Sequence, residues 1–346
     1  MILVHDTTLS SNIWCTISAI ILIQSVEGTG MFDNFDVTNK KAIITGASQG
    51  VGAEFAKLLY GKGCSVVIVA RTESLLKQVV KDAIDIHGTE KGNTISYVAA
   101  DISKYDQCER VLEEVGFSPD IVFCCAGSSI PGLFLELDEK TLSSGIDINY
   151  KTALYFSHVA LKVMTKVEKP YKRHLVFFSS VLAFYSFIGY GQYAPMKAAL
   201  RSLSDILRQE VSIHNIKVEC IFPGNTLSEG FLEEEKSKPE ITRIIEGPSS
   251  PISTEQCCKI IYNALQSGYQ YVTTDFIGYV LMSASLGGSP RYYGVIQVII
   301  SFLFSIFAPI ASMFVNKQIR DYFKKQSRIS PSSSSSPSPE REQKDK

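Results

Sequence analysis

Short apolar runs rich in β-branched residues alternate with longer amphipathic segments from Lys41 onward. The runs are apolar nearly throughout, which is typical of parallel strands covered on both faces. They predict strands at Lys41–Thr45, Ser65–Arg71, Ile95–Ala99, Ile121–Cys125, His174–Ser179 and Lys217–Phe222. The segments between them predict helices that include Gly52–Lys62, Ser74–Ile86, Thr152–Val167 and Ala194–Ile213. This alternation favours right-handed crossovers and an α/β fold with a doubly wound parallel sheet and helices on both faces.

Uninterrupted apolar sequence occurs in two further places. Tyr292–Val315 holds 24 residues without a formal charge. As a helix it is long enough to cross a hydrocarbon core about 30 Å thick, and the basic residues after it favour a cytosolic C-terminus. Pro309 leaves a re-entrant hairpin as an alternative, and a buried core helix is another. The shorter stretch Ile13–Val26 is either a weak membrane anchor or an extension that precedes a start at Met31.

These patterns predict four regions along the chain. Residues 1–36 form an N-terminal extension and residues 37–290 form the α/β domain. Residues 291–326 form a membrane-anchoring segment with a basic flank. Residues 327–346 are rich in serine, proline and charge, and such a tail cannot bury enough apolar area to fold.

Composition narrows the function classes. The formal net charge is −1 with 20% charged residues, which argues against a nucleic-acid partner. The 45% hydrophobic content excludes a mainly disordered chain and is too low for a multi-span transporter. The eight cysteines form no CxxC pair, so we expect reduced, buried thiols, and the five histidines show no spacing typical of a metal site. No N-x-S/T acceptor occurs, which is consistent with a domain facing the cytosol.

A glycine-rich segment, Thr45–Gly52, lies between the first predicted strand and the first predicted helix. A dinucleotide pyrophosphate needs backbone N–H groups, the positive end of a helix and no side chain in the way. Flanked in this manner, the segment predicts the phosphate-binding turn of a Rossmann-type fold. The cofactor contacts predicted in it are Gly46, Ser48, Gln49, Gly50 and Gly52.

The end of the second strand predicts which dinucleotide is bound. NAD-selective sites usually place an acidic residue there, whereas this chain has Ala70 followed by Arg71. A guanidinium can pair with a 2′-phosphate and Ser48 can add a hydroxyl, so the sequence favours NADPH. Asp101, which follows the third strand with Ile102, could accept a hydrogen bond from the adenine amino group or could cap the next helix.

Tyr193 and Lys197 stand four residues apart, so a helix would place them on one face. A nearby ammonium lowers the pKa of a phenol, and Tyr193 could then give a proton to an alkoxide as hydride arrives. Ser180 lies just after a predicted strand, where its hydroxyl can hold a substrate carbonyl. The three residues together predict a carbonyl reductase.

The chain resembles the short-chain dehydrogenases/reductases over roughly Val37 to Gly224 and, among them, the fungal 3-ketodihydrosphingosine reductases. The closer likeness rests on six segments and on the apolar C-terminal anchor with its basic end. These segments are Asp147–Thr152, Phe178–Leu200, Phe222–Asn225, Lys238–Thr242, Ile245–Ser249 and Thr274–Gly278. The resemblance implies Tyr193 as general acid/base and Lys197 as its pKa modifier and ribose ligand. It also implies Ser180 as the partner of the substrate carbonyl and Asn149 as support for the proton relay.

The same resemblance implies a long-chain sphingoid ketone as substrate, with reduction of 3-oxosphinganine to sphinganine. It implies an endoplasmic reticulum membrane location with the catalytic domain facing the cytosol, and a possible homo-oligomer. Reduction of another lipid carbonyl (a steroid, a retinoid or a 3-ketoacyl chain) and a non-catalytic NADP-binding scaffold are the alternatives.

Two segments carry expectations of their own. The family's usual Asn-Asn-Ala-Gly after the fourth strand is Cys124–Gly127 here, which removes any contact specific to asparagine. Asn225–Pro251 follows the last strand of the motif and has mixed charge and three prolines. Its position in this family predicts a cover over the substrate, and a surface insertion is the alternative.

Overall fold

A parallel sheet of seven strands organises the computed structural model, which describes residues 35–248, 250–290 and 294–329. The strands are β1 (Lys41–Thr45), β2 (Ser65–Ala70), β3 (Ile95–Ala99), β4 (Ile121–Cys124), β5 (Arg173–Phe178), β6 (Ile216–Phe222) and β9 (Tyr271–Thr273). Their order across the sheet is β3-β2-β1-β4-β5-β6-β9. The chain reverses direction across the sheet between β1 and β4, which is where doubly wound folds open a ligand crevice. The predicted fold class is therefore confirmed.

Helices connect the strands and flank the sheet. They are α1 (Gly50–Gly61), α2 (Glu73–His87), α3 (Tyr105–Val115), α4 (Glu139–Ile146), α5 (Thr152–Met164), α6 (Ala194–Glu210), α7 (Glu229–Ser237), α8 (Glu240–Glu246), α9 (Thr254–Gln266), α10 (Phe276–Ser285) and α11 (Gly294–Ile329). A π-turn at Asp147–Lys151 joins α4 to α5. Two short strands, β7 (Thr226–Leu227) and β8 (Ile252–Ser253), pair with each other outside the main sheet.

The six predicted strands are confirmed, each within one residue at either end. The helices agree less closely at their ends: α1 begins at Gly50, two residues before the predicted start, and α6 ends at Glu210, three residues before the predicted end. The seventh strand, β9, was not predicted. It is only three residues long and pairs along a single edge with β6, so it leaves little hydrophobic pattern in the sequence.

The core lies on both faces of the sheet. Val122 packs into one apolar cluster, and the next residue along β4, Phe123, packs into the other. The same division recurs along β5 between Leu175 and Val176. Side chains alternate across a strand, so covering both faces requires an apolar residue at every position. Each such side chain contributes about 1.5–3 kcal/mol on burial, and this explains the continuous apolar runs in the sequence.

From Gly294 onward the apolar C-terminal block lies in one continuous helix, α11, with Pro309 inside it. The alternative of a re-entrant hairpin is therefore wrong. The alternative of a buried core helix is also wrong, because the most apolar window of Gly294–Gln326 is unburied. That 18-residue window has a mean hydropathy of 2.4, and the length and composition of the helix suit a membrane span. The chain divides into two compact units, one ending at Phe304 and the other beginning at Ser305.

Some expectations lie outside the described residues: the stretch Ile13–Val26, the start at Met31, and the Ser/Pro-rich tail after residue 329. Among the cysteines that the structure describes, all seven are free thiols and six are buried. Within the same residues, no cluster of His, Cys, Asp and Glu side chains is suited to hold a metal ion.

Candidate active site

A cleft of about 1360 Å³ opens at the carboxyl ends of the parallel strands. It runs from the glycine-rich turn, past the ends of β2 and β3, to the start of α6. All the predicted cofactor residues line it, namely Gly46, Ser48, Gln49, Gly50, Gly52, Arg71, Asp101, Ile102, Tyr193 and Lys197. Ser180 lines it as well. The tertiary structure therefore brings residues from five separate segments into one cavity.

The glycine-rich turn depends on the absence of side chains. Gly46 has φ +69°, and a Cβ added to it would lie 2.5 Å from the backbone N and Cα of Ala126. Gly50 has φ +62°, opens α1 and lines the cleft. A positive φ and close backbone approach both exclude ordinary side chains. These features form a cradle suited to a pyrophosphate at a helix N-terminus.

The adenosine end of the cleft carries the residues expected to distinguish the two dinucleotides. Arg71 directly follows β2 and is exposed to solvent. Arg71 and Ser48 both line the cleft. Asp101 does not cap α3, because Lys104 holds the N-cap position. Instead the Asp101 carboxylate accepts hydrogen bonds of 3.2 and 2.8 Å from the backbone N–H and hydroxyl of Ser103. This turn holds Asp101 in the cleft lining, so the alternative role as a helix cap is wrong.

Lys197 lies inside the first turn of α6 and is buried. Its ammonium donates a hydrogen bond of 2.9 Å to the carbonyl oxygen of Phe178 at the end of β5. Burial lowers the pKa of Lys197 to about 8, so the ammonium is mostly protonated at neutral pH. The Ser179 hydroxyl donates to the Lys197 carbonyl oxygen at 2.7 Å and so ties this turn of α6 to the sheet.

Tyr193 occupies the position just before α6, with Lys197 Nζ 5.3 Å from the centre of its ring. Burial raises the pKa of Tyr193, the negative charge of Glu234 raises it further, and a hydrogen bond with Ser180 lowers it. The balance is a raised pKa. The direction in the ligand-free site is therefore opposite to the lowering expected from Lys197, and desolvation is the largest cause.

Ser180 begins a short 3₁₀ turn, Val181–Ala183, where β5 ends. Its oxygen accepts a hydrogen bond of 3.2 Å from the backbone N–H of Leu182. A hydroxyl has one donor and two acceptor positions, so this contact uses one acceptor position and leaves the O–H to donate either to the Tyr193 oxygen or to a substrate oxygen. The close Tyr193 hydroxyl and the Ser180 hydroxyl thus reach the same part of the cleft.

Asn149 is fully buried within the π-turn and does not line the cleft. Its amide accepts from the Ser128 N–H at 2.9 Å and donates to the Ser128 carbonyl at 2.8 Å. A Cβ on Gly127 would lie 2.9 Å from Lys197 Nζ and 3.1 Å from Asn149 Oδ1. Gly127 therefore allows Asn149 and Lys197 to approach each other. π-Turns of this kind often occur at functional sites.

The Cys-Cys pair that departs from the family pattern is accommodated without an asparagine contact. Cys124 is buried at the end of β4, and Cys125 lines the cleft. Burial raises the pKa of the Cys125 thiol well above its ordinary value, so the thiol stays neutral. The backbone N–H of Cys125 bonds to the Thr45 carbonyl at 3.2 Å and joins this turn to the glycine-rich turn.

A group of polar side chains that the sequence did not single out faces the cleft from α7 and α8. The Tyr190 hydroxyl donates to Glu234 Oε1 at 2.6 Å, and Lys238 Nζ lies 2.8 Å from Glu246 Oε2. Glu234, Lys238 and Glu246 belong to the segment Asn225–Pro251, which was predicted as a cover, and ten of its described residues line the cleft. It is therefore a wall of the site, and the alternative of a surface insertion is wrong. Its side chains could not be predicted because Tyr190 and Glu234 are 44 residues apart.

The chain is similar in sequence to a known protein family and to several characterised proteins. The family model for short chain dehydrogenases matches residues 40–239. A 3-ketodihydrosphingosine reductase of Debaryomyces hansenii is 48% identical over 298 residues, which cover 83% of this chain and 90% of that protein. A 3-ketodihydrosphingosine reductase of Saccharomyces cerevisiae is 40% identical over 277 residues, covering 73% and 84%.

Solved structures share the fold. L-Sorbose reductase from Gluconobacter frateurii, solved with NADPH and L-sorbose, has a TM-score of 0.60 at 21% identity and covers 69% of this chain and 95% of its own. A short-chain dehydrogenase/reductase from Burkholderia phymatum, solved with NAD, also has a TM-score of 0.60 at 21% identity, covering 69% and 90%. The chain belongs to the short-chain dehydrogenase family and is an oxidoreductase that uses a nicotinamide cofactor.

Proposed function

We propose that this short-chain dehydrogenase reduces 3-oxosphinganine to sphinganine with NADPH as the hydride donor, in sphingolipid synthesis. The observation that carries the proposal is one continuous cleft lined by Arg71, Ser180, Tyr193 and Lys197. Relatives named 3-ketodihydrosphingosine reductase support the substrate at 40–48% identity over most of the chain. The alternative of a non-catalytic scaffold is excluded by the family and by these relatives.

Selection of NADPH is assigned to Arg71 and Ser48. Both line the same end of the cleft as the glycine-rich turn, and Arg71 follows β2 where NAD-selective sites usually place a carboxylate. A guanidinium presents several N–H donors in a plane and matches a phosphate bidentately. Gly46 and Gly50 line the cleft at the N-terminus of α1 and bring no side chain to it, so the residues present fit the cofactor.

The reacting carbonyl is assigned to the space between Ser180 and Tyr193. When bound, the reduced nicotinamide supplies hydride to the carbonyl carbon. The Ser180 O–H donates a hydrogen bond to the carbonyl oxygen and stabilises the negative charge that develops there. The raised pKa of Tyr193 keeps its phenol protonated at neutral pH, which is the form needed to donate a proton to the nascent alkoxide.

Lys197 and Asn149 support this proton transfer. The Lys197 ammonium stabilises the phenolate that Tyr193 becomes after it gives up its proton, because opposite charges at this separation attract strongly in a buried site. Lys197 is also the assigned ligand of the cofactor ribose. The Asn149 amide makes two hydrogen bonds to the Ser128 backbone, and its Oδ1 lies next to Gly127. Asn149 therefore positions the backbone beside Lys197 and does not touch the substrate.

The location follows from the substrate and from α11. A long-chain sphingoid ketone partitions into the bilayer, NADPH is cytosolic, and α11 is long and apolar enough to span a membrane. We assign the protein to the endoplasmic reticulum membrane with the α/β domain on the cytosolic side. Protease protection tests this orientation: protease added to intact vesicles digests the α/β domain, whereas a tag after α11 is protected if that helix crosses the bilayer once.

The activity is tested by adding 3-oxosphinganine to the purified full-length protein in detergent or nanodiscs and following NADPH absorbance. We expect NADPH consumption and sphinganine as the product by mass spectrometry. A panel of a steroid ketone, a retinal and a 3-ketoacyl chain provides the comparison. A higher kcat/KM on any of these than on 3-oxosphinganine would overturn the assigned substrate, and a preference for NADH would overturn the assigned cofactor.

A further inference from the structure

The substrate proposed above carries an amino group on the carbon next to its ketone. An amine beside a carbonyl resembles a chain α-amino group, whose pKa is about 7.7–8.0, so it is positively charged below that pH. Since the carbonyl is held between Ser180 and Tyr193, the ammonium must lie within a few ångströms of Tyr193. A site selective for this substrate therefore needs a negative group beside Tyr193, and a buried cation without one is costly.

Glu234 on α7 is connected to that position through Tyr190. Its Oε1 accepts from the Tyr190 hydroxyl at 2.6 Å, and the Tyr190 and Tyr193 rings lie 6.4 Å apart between centroids. All three side chains line the cleft. The negative charge of Glu234 also raises the pKa of Tyr193, which is a second sign of their closeness.

The other carboxylates of the cleft make contacts within the protein, as Glu234 does. Glu246 accepts from Asn225 at 2.7 Å with Oε1 and from Lys238 at 2.8 Å with Oε2. The remaining three each hold one near neighbour: Asp101 bonds to Ser103, Asp147 pairs with Lys151, and Asp275 caps α10 through the Gly278 N–H. Glu234 has its nearest cation, Lys238, at 3.5 Å, and that contact is again made by Oε1. Each of the three aspartates also has an oxygen outside the contact given, so what separates Glu234 from them is its connection to Tyr193 through Tyr190.

The local charge balance agrees with this assignment. The side chains around Lys238 comprise three carboxylates and two cations, namely Glu234, Glu235, Glu246, Lys238 and Arg243. Burial raises the pKa of Glu234, so its charged form is under-compensated in the ligand-free cleft. One added ammonium would balance the charge and would favour the carboxylate.

We propose that Glu234 binds the substrate ammonium and thereby makes the enzyme selective for ketones that carry an amine beside the carbonyl. Glu234 would be a specificity-determining residue, held in place by Tyr190 and Lys238. The proposal rests on the proposed function and adds to it a residue that recognises the amino group of the substrate. The glycine-rich turn, Ser180, Tyr193 and Lys197 do not provide that recognition.

The test compares two substrates on three proteins. The substrates are 3-oxosphinganine and the analogue in which hydrogen replaces the amino group. The proteins are the full-length wild type, Glu234→Gln, and Glu233→Gln as a matched control on the exposed side of the same helix. Glutamine keeps an acceptor for the Tyr190 hydroxyl and removes only the charge. We expect Glu234→Gln to lower kcat/KM for the amine substrate about 10–100-fold relative to the analogue. Glu233→Gln should leave the ratio unchanged.

Each other outcome decides against the proposal. An equal fall on both substrates would mean that Glu234 only supports the wall, and no change on either would mean that it does not meet the substrate. Wild type that reduces the amine substrate with an unchanged ratio in Glu234→Gln refutes this inference alone. Wild type that leaves the amine substrate unreduced refutes the proposed function and this inference with it.

Discussion

Lys197 Nζ lies 5.3 Å from the centre of the Tyr193 ring and donates to the Phe178 carbonyl at 2.9 Å. The same ammonium is thus placed beside the phenol and fixed to the end of a central strand. The geometry results from the start of α6, because Tyr193 precedes the helix and Lys197 lies one turn into it.

Replacing Tyr193 by Phe removes the proton donor and keeps the ring that packs beside Tyr190. We expect turnover of the ketone to fall by about 10²–10⁴-fold or more, with NADPH affinity nearly unchanged. Steady-state NADPH oxidation and cofactor titration by fluorescence measure the two effects. Tyr155→Phe, a change away from the cleft, serves as the control and should keep full turnover. Retained turnover in Tyr193→Phe would remove this residue from the assigned role.

The pKa of Lys197 makes a prediction about stability. Folding lowers this pKa from 10.5 to about 8, so between those values the unfolded chain binds more protons than the folded one. The free energy of unfolding of the wild type should therefore rise with pH over that window relative to Lys197→Met, by up to about 3 kcal/mol. Denaturant unfolding of the cofactor-free proteins at several pH values measures the difference. A difference that is flat, or that falls with pH, contradicts burial of an ionisable amine here.

Arg71→Ala tests the choice of dinucleotide. Loss of a charged hydrogen-bond donor to a phosphate costs about 1.5–3 kcal/mol, so kcat/KM for NADPH should fall about 10–100-fold. The value for NADH should change much less, because NADH has no 2′-phosphate. Lys77→Ala removes an exposed cation on α2 that does not line the cleft and should leave the NADPH-to-NADH ratio as it is. A parallel loss with both cofactors would place Arg71 outside the 2′-phosphate contact.

Gly46→Ala tests the phosphate cradle, and Gly92→Ala is its matched control. Both glycines have positive φ, but a Cβ on Gly46 meets the Ala126 backbone at 2.5 Å, whereas a Cβ on Gly92 meets nothing within 4 Å. We expect Gly92→Ala to cost about 1–2 kcal/mol of stability through backbone conformation alone. Gly46→Ala should cost more and should also weaken NADPH binding. Thermal melts measure stability and cofactor titration measures NADPH affinity. Equal effects of the two variants would show that the close packing of Gly46 against the Ala126 backbone is unimportant.

Much of the fold could be predicted because the features that specify it are local. The strands are apolar at nearly every position, as both faces of the sheet require, and their bounds were correct within one residue. Helix ends were less accurate, since tertiary packing decides where a helix stops. The sequence does not predict the strand Tyr271–Thr273, because three residues are too few to show a hydrophobic periodicity. The strand is defined by its pairing with β6.

The candidate site divides in the same way. Tyr193 and Lys197 were predictable because a helix places residues four apart on one face, and the glycine-rich turn was predictable because its residues are contiguous. Their pKa values were not. Burial dominates both groups, and it raises the pKa of Tyr193 where sequence reasoning about a neighbouring ammonium predicted a lower one.

The sequence by itself determined the order of strands and helices, the phosphate turn, the Tyr–Lys pair and the apolar C-terminal segment. Each depends on neighbours along the chain, within a few residues of one another. Only the tertiary structure decided that Glu234 faces the cleft beside Tyr190, 44 residues away, and that Asn149 bonds to Ser128 without lining it. Those relationships depend on how distant segments pack, and packing determines burial, charge compensation and the direction in which a side chain faces.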